Sequence, residues 1–122
     1  MTDTNPEKEA AIARERRRLT RLFSAIDPKR KAAVRGLIER CAFMAVSLAE
    51  IEADLNTYGF VELFQQGTAP AYERKRPIAD QYNTMSANYH KAIKQLTDLL
   101  PKDDPAPKDD GFDAFVGGRR EL

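Results

Sequence analysis

The chain contains no tryptophan, one cysteine and one histidine. A lone cysteine, Cys41, cannot close an internal disulfide, so a disulfide scaffold is excluded and a cytosolic protein is the default. Cys41 and His90 cannot make an ordinary nitrogen–sulfur zinc site within one chain, so no metal or other cofactor is expected. No apolar run approaches the length of a membrane span, and the polar opening from Met1 to Glu9 lacks the apolar stretch of a secretory signal. An overall charge of one sign is missing too: 20 Lys/Arg stand against 19 Asp/Glu. The familiar phosphate loops, GxxxxGK[ST] and GxGxxG, do not occur. Glu50, Glu52 and Asp54 lie at i, i+2 spacing, which turns them to different faces of a helix and argues against a metal site. Cys41 reads as a small core residue and His90 as a structural one, so a non-enzyme is expected.

What is present fits one domain. The 122 residues are 42% apolar and 32% charged, enough for a small core. The balanced charge hides an asymmetry: residues 1–40 carry a net +5, while residues 41–100 and 101–122 each carry −2. Such a cationic front raises the question of a nucleic-acid partner.

Prolines and glycines divide the chain into three helical stretches. The first is expected from Pro6 to Ile26, with Asn5 as N-cap, Pro6 at the first position and Glu7 and Glu9 on the N-terminal dipole. Asp27-Pro28 ends it and opens the second, which runs to Tyr58, where Gly59 supplies a left-handed cap. The third begins at Pro77 and stops at Leu100, before Pro101. Between the last two, Phe60 to Phe64 is rich in strand formers and Gln65 to Thr68 reads as a turn, so a short hairpin or irregular loop is expected there.

In the second helix Val34, Leu37, Cys41, Met44, Leu48, Ile51 and Leu55 step by 3 and 4 through three heptads. In the third, Ile78, Tyr82, Met85, Tyr89, Ala92, Leu96 and Leu99 do the same. These stripes predict an all-α fold: a basic N-terminal helix over 1–27, a long antiparallel helical hairpin over 28–100 with a short β-like loop, and a tail over 101–122. The hairpin is expected to act as core and oligomerisation surface through Val34, Leu37, Met44, Leu48, Ile51, Leu55, Met85, Tyr89 and Leu96. Three prolines, five aspartates and three glycines mark the tail as disordered. Its Phe112, Phe115 and Val116, spaced i, i+3, i+4 among acidic residues, predict a partner-binding motif.

The basic residues are Arg14, Arg16, Arg17, Arg18 and Arg21 in the first helix, then Lys29, Arg30, Lys31 and Arg35 at the start of the second. Arginine pairs bidentately with phosphate, and each neutralised phosphate releases counterions. Five arginines in eight residues surround a helix, which suits backbone tracking on duplex DNA better than base reading. No aromatic residue interrupts the run, which disfavours stacking on single strands.

The middle of the chain resembles a known family. Asp54-Leu55, Gly59-Phe60-Val61-Glu62, a polar turn, Tyr72, Arg76-Pro77, Tyr82-Asn83-Thr84-Met85 and Leu96-Thr97-Asp98-Leu99-Leu100-Pro101 are similar to the short-chain small terminase subunits of tailed double-stranded-DNA phages. The resemblance covers residues 40–101 and rests on helix ends and hydrophobic spacing. It implies a non-enzymatic protein of the bacterial host cytoplasm that assembles as a ring, binds viral double-stranded DNA, and recruits and regulates the large terminase ATPase-nuclease. Many members carry a separate helix-turn-helix domain. The segment before the second helix is too short for one here, which shifts the expected DNA contacts to the basic helix itself. Two other readings stand beside this one: a helical protein–protein adaptor that binds no DNA, and a small enzyme using tyrosine, His90 and carboxylates.

Overall fold

A computed structural model describes residues 5–102, which form three helices and a small two-stranded sheet. The fold is mainly helical, as expected. The tail from Asp103 onward, with Phe112, Phe115 and Val116, lies outside the described residues.

Helix α1 spans Pro6–Leu22. Asn5 caps it by accepting from the backbone N–H groups of Glu7 and Lys8, each at 3.1 Å. The helix ends one turn earlier than the apolar pattern predicts. Phe23 and Ile26 instead fold under its C-terminus through the bonds Phe23 N–H to Leu19 O and Ile26 N–H to Phe23 O. Asp27 then accepts from the Lys29 N–H at 3.0 Å and starts a single 3-10 turn, Pro28–Arg30. Helix α2, Lys31–Tyr58, follows directly.

Gly59 ends α2 at φ 80° and ψ −178°, while its N–H still reaches Leu55 O at 2.8 Å. That backbone region is open to glycine almost alone. Gly59→Ala is therefore expected to cost about 1–3 kcal/mol in urea denaturation, while core packing stays as it is. A cost near zero would show that the backbone here relaxes freely.

The segment after Gly59 is a true hairpin. Strand β1, Val61–Phe64, pairs antiparallel with β2, Tyr72–Lys75, in the register Val61 to Lys75 and Phe64 to Tyr72. One face is knit together: Arg74 Nε donates to Glu62 Oε2 at 2.7 Å, its guanidinium lies 3.5 Å from the Phe64 ring centroid, and Phe64 meets Tyr72 edge-on. Cross-strand pairs of this kind sustain a two-stranded sheet that is otherwise marginal. The other face leaves Val61 and Leu63 in water, Leu63 at 74% exposure.

Helix α3, Pro77–Asp98, is preceded by Arg76, which ties the turn together. Its Nη1 donates to Gly59 O at 2.7 Å and its Nη2 lies 2.7 Å from Asp54 Oδ1. The second contact is an ion pair rather than an aligned hydrogen bond, since buried Asp54 Oδ1 has no donor in line with it. Further along, Tyr82 donates to Glu52 at 3.0 Å, and this bond raises the Tyr82 hydroxyl pKa by favouring its protonated form. Arg76 and Tyr82 meet Asp54 and Glu52 near the end of α2, while Ala92, Ile93 and Leu96 share a cluster with Val34, Ile38 and Cys41 nearer its start, so the two helices run in opposite directions.

Helix α2 is the middle of the structure and packs on both α1 and α3. Lys8 to Glu50 at 2.9 Å and Arg16 to Glu39 at 3.3 Å show α1 also running opposite to it. The core joins Leu19, Phe23 and Ile26 to Val34, Ile38, Cys41 and Ala42 of α2 and to Ala92, Ile93 and Leu96 of α3.

The heptad positions divide accordingly. Val34, Cys41, Leu48 and Leu55, seven apart, are buried, whereas Leu37, Met44 and Ile51 are half-buried. On α3 Leu96 is fully buried, while Met85 and Tyr89 are half-buried. A helix with partners on two sides buries a broader arc than a heptad seam, which is why Ile38, Ala42 and Ser47 are also inside. Among the described residues the buried Ser47 hydroxyl has no hydrogen-bond partner.

Burial pushes the Cys41 thiol from its ordinary 9.0 up to about 11, with the Glu15 carboxylate adding to the effect. The thiolate is thus favoured in the unfolded chain. The stabilising contribution is complete below pH 9 and is lost as pH rises towards 11. At pH 8 the native thiol is expected to react with a disulfide reagent at least about a hundredfold more slowly than in urea. Equal rates would show that the site opens freely.

Candidate functional site

The nine basic residues singled out from sequence are divided by the fold into paired and unpaired groups. With 3.6 residues per turn, Arg14, Arg17 and Arg21 fall together on the outer side of α1, opposite Leu19 and Phe23, and all three are exposed. Arg18 borders that stripe, whereas Arg16 falls on the side that faces α2, and both are engaged. Arg16 meets Glu39, and Arg18 clamps Glu15 with Nε at 3.0 Å and Nη2 at 2.7 Å. The run therefore does not surround the helix evenly, because one side of α1 is buried against α2. Lys29, Arg30, Lys31 and Arg35 are exposed where α2 begins. Among the described residues, Arg14, Arg17, Arg21, Lys29, Arg30, Lys31 and Arg35 have no ion-pair partner.

Four of these seven, Arg17, Arg21, Lys31 and Arg35, line a cleft of about 710 Å³ where the end of α1 meets the start of α2. Its floor is apolar, made by Phe23, Ile26, Val34 and Ile38. Its rim is cationic, with Arg16, Arg17, Arg21, Lys31 and Arg35. Asp27 and Glu39 also line it, but Asp27 caps the turn and Glu39 is held by Arg16. An apolar floor beneath several unpaired cations can hold a ligand that combines apolar and anionic groups, and the rim alone can hold phosphates.

The sequence pattern located these charges but not the cleft. Phe23 and Ile26 fit the last turn of a helix by spacing alone, and only the fold-back after Leu22 turns them into its floor. Nor did the pattern give Arg76 a role. Its only signal was its place between a strand and a helix-opening proline, 22 residues after an aspartate.

A second surface lies at the opposite end. Tyr58, Phe60, Val61, Leu63 and Tyr72 are large, apolar and more than half exposed. Among the described residues, no group of three or more His, Cys, Asp or Glu could hold a metal ion. No described helix is long and apolar enough to cross a membrane. Comparison with protein-family models, with curated proteins and with solved structures finds no match to this chain.

Proposed function

We propose that this chain is a phage DNA-packaging small terminase subunit: it binds viral double-stranded DNA and recruits and regulates the large terminase ATPase-nuclease. The observation that carries the DNA part is the set of exposed cations without ion-pair partners among the described residues, four of which, Arg17, Arg21, Lys31 and Arg35, meet where the end of α1 joins the start of α2. Flexible exposed cations without fixed carboxylate partners suit phosphates, which position a protein on DNA without reading sequence. The similarity of residues 40–101 to the family supports the packaging part. In this reading α2 and α3 form the long antiparallel hairpin of a ring-forming subunit. The half-buried Leu37, Met44, Ile51, Met85 and Tyr89 then become covered by neighbouring copies. Phe112, Phe115 and Val116 dock on the large subunit.

The test is affinity for duplex DNA over a salt series, with solution mass measured on the same sample. A packaging subunit is expected to be oligomeric and to bind more weakly as salt rises, the logarithm of its affinity falling linearly with that of salt concentration. A monomer with no measurable affinity at low salt would defeat the proposal. The exposed apolar end around Phe60, Leu63 and Tyr72 favours the protein-only adaptor as the second reading. That reading predicts no salt-dependent DNA binding.

A further inference from the structure

The cleft between α1 and α2 has an apolar floor and a cationic rim, four of whose five cations have no ion-pair partner among the described residues, so its natural occupant is an acidic segment bearing large apolar side chains. One such segment belongs to this chain. Residues 109–116 read Asp-Asp-Gly-Phe-Asp-Ala-Phe-Val, three aspartates around two phenylalanines and a valine. We propose that this segment docks in the cleft of its own chain, with Phe112 and Phe115 on the floor of Phe23, Val34 and Ile38, and Asp109, Asp110 and Asp113 against Arg21, Lys31 and Arg35.

Three observations carry this. The first is charge complementarity: the rim cations Arg21, Lys31 and Arg35 have no carboxylate partner among the described residues, and the segment supplies three. The second is position. The start of α3 meets the end of α2 through Arg76 with Asp54 and Tyr82 with Glu52, so the end of α3, with Leu99 and Leu100 on the core cluster, lies at the end of the molecule where α2 begins. The chain therefore leaves the described structure at the cleft's end of the molecule. The third is reach. Ten residue steps lead from Lys102 to Phe112, enough to span about 33 Å when extended. A domain of this size has a radius of gyration of about 13 Å. A tether this short holds its segment at an effective concentration in the millimolar range, so weak individual contacts suffice.

Docking would occupy cations that the preceding proposal gives to DNA, and side chains it gives to the large subunit. The chain would thus hold its own competitor for both. This consequence rests on the packaging reading; the docking itself does not.

The experiment uses the full chain, labelled with 15N and carrying a nitroxide on Gly117→Cys, with peptide mass mapping placing the single label at position 117 and leaving Cys41 unmodified. Amide signals of Ser24, Lys31 and Arg35 are expected to disappear while those of Leu63 and Tyr72 persist. Adding Phe112→Ala and Phe115→Ala to the labelled chain should restore them, and neither residue belongs to the described core. Undiminished signals at Ser24, Lys31 and Arg35, or an equal loss in the doubly substituted chain, would overturn the proposal. A second sample mixes unlabelled-nitrogen, nitroxide-bearing chain with 15N chain free of nitroxide. A loss there as large as in the first sample would assign the cleft's occupant to a neighbouring copy and overturn the intrachain form. No DNA is present in either sample, so failure here and failure of DNA binding are separate results.

Discussion

Replacing Arg17, Arg21, Lys31 and Arg35 together by alanine should flatten the salt dependence of DNA binding. Each phosphate neutralised on duplex DNA contributes about 0.9 to the slope of log affinity against log salt. Removing four such cations should therefore lower the slope by about 3–4, and the affinity at low salt should fall by orders of magnitude. The four side chains are exposed and have no ion-pair partners among the described residues, so the fold should not be disturbed. Circular dichroism and the thermal midpoint check that point. The control is Lys91→Ala with Lys94→Ala on the exposed side of α3, away from the cleft, where the slope should not change. An unchanged slope in the fourfold variant would remove this face from the proposed DNA contacts, whatever the affinity of the parent protein.

The second large effect belongs to the core. Leu96 is fully buried and joins the cluster made by Leu19, Ile38 and Cys41. Leu96→Ala removes its transfer free energy and leaves a cavity, about 3–5 kcal/mol for a leucine of this kind. Small domains have about 5–15 kcal/mol in total, so the variant should lose much of its stability and unfold at a far lower urea concentration. Leu63→Ala, at 74% exposure, should change stability by less than about 0.5 kcal/mol. A loss at Leu96 as small as that at Leu63 would contradict the packing described above.

How much of this was readable in the sequence depends on the range of the forces involved. Helix starts and stops are local chemistry: Asn5-Pro6, Asp27-Pro28, Gly59 and Arg76-Pro77 marked boundaries close to the observed ones. The hairpin was open to two readings because Phe60 to Phe64 alone cannot specify a partner strand. The pairing also needed the cross-strand contacts of Glu62 with Arg74 and of Phe64 with Tyr72. The heptads identified apolar positions but not how deeply each is buried. That depends on α2 having a neighbour on each side, which is how Ile38 and Ala42 come to be as buried as Val34. The cationic residues were plain from composition, while their division into paired and unpaired required knowing that Glu39 faces Arg16 from another helix. The cleft was invisible because it exists only where two helix ends converge.

The central place of α2 has a consequence for how the protein comes apart. Each outer helix finds its main support on the same inner one, so neither can survive as a stable half without it. Damage to α2 is shared by the whole molecule, whereas α1 can in principle peel away and leave α2 and α3 together. Peeling would separate Phe23 and Ile26 from Val34 and Ile38, so the cationic hollow would vanish before the rest of the fold does. The region carrying the proposed function is therefore lost whenever α1 parts from α2.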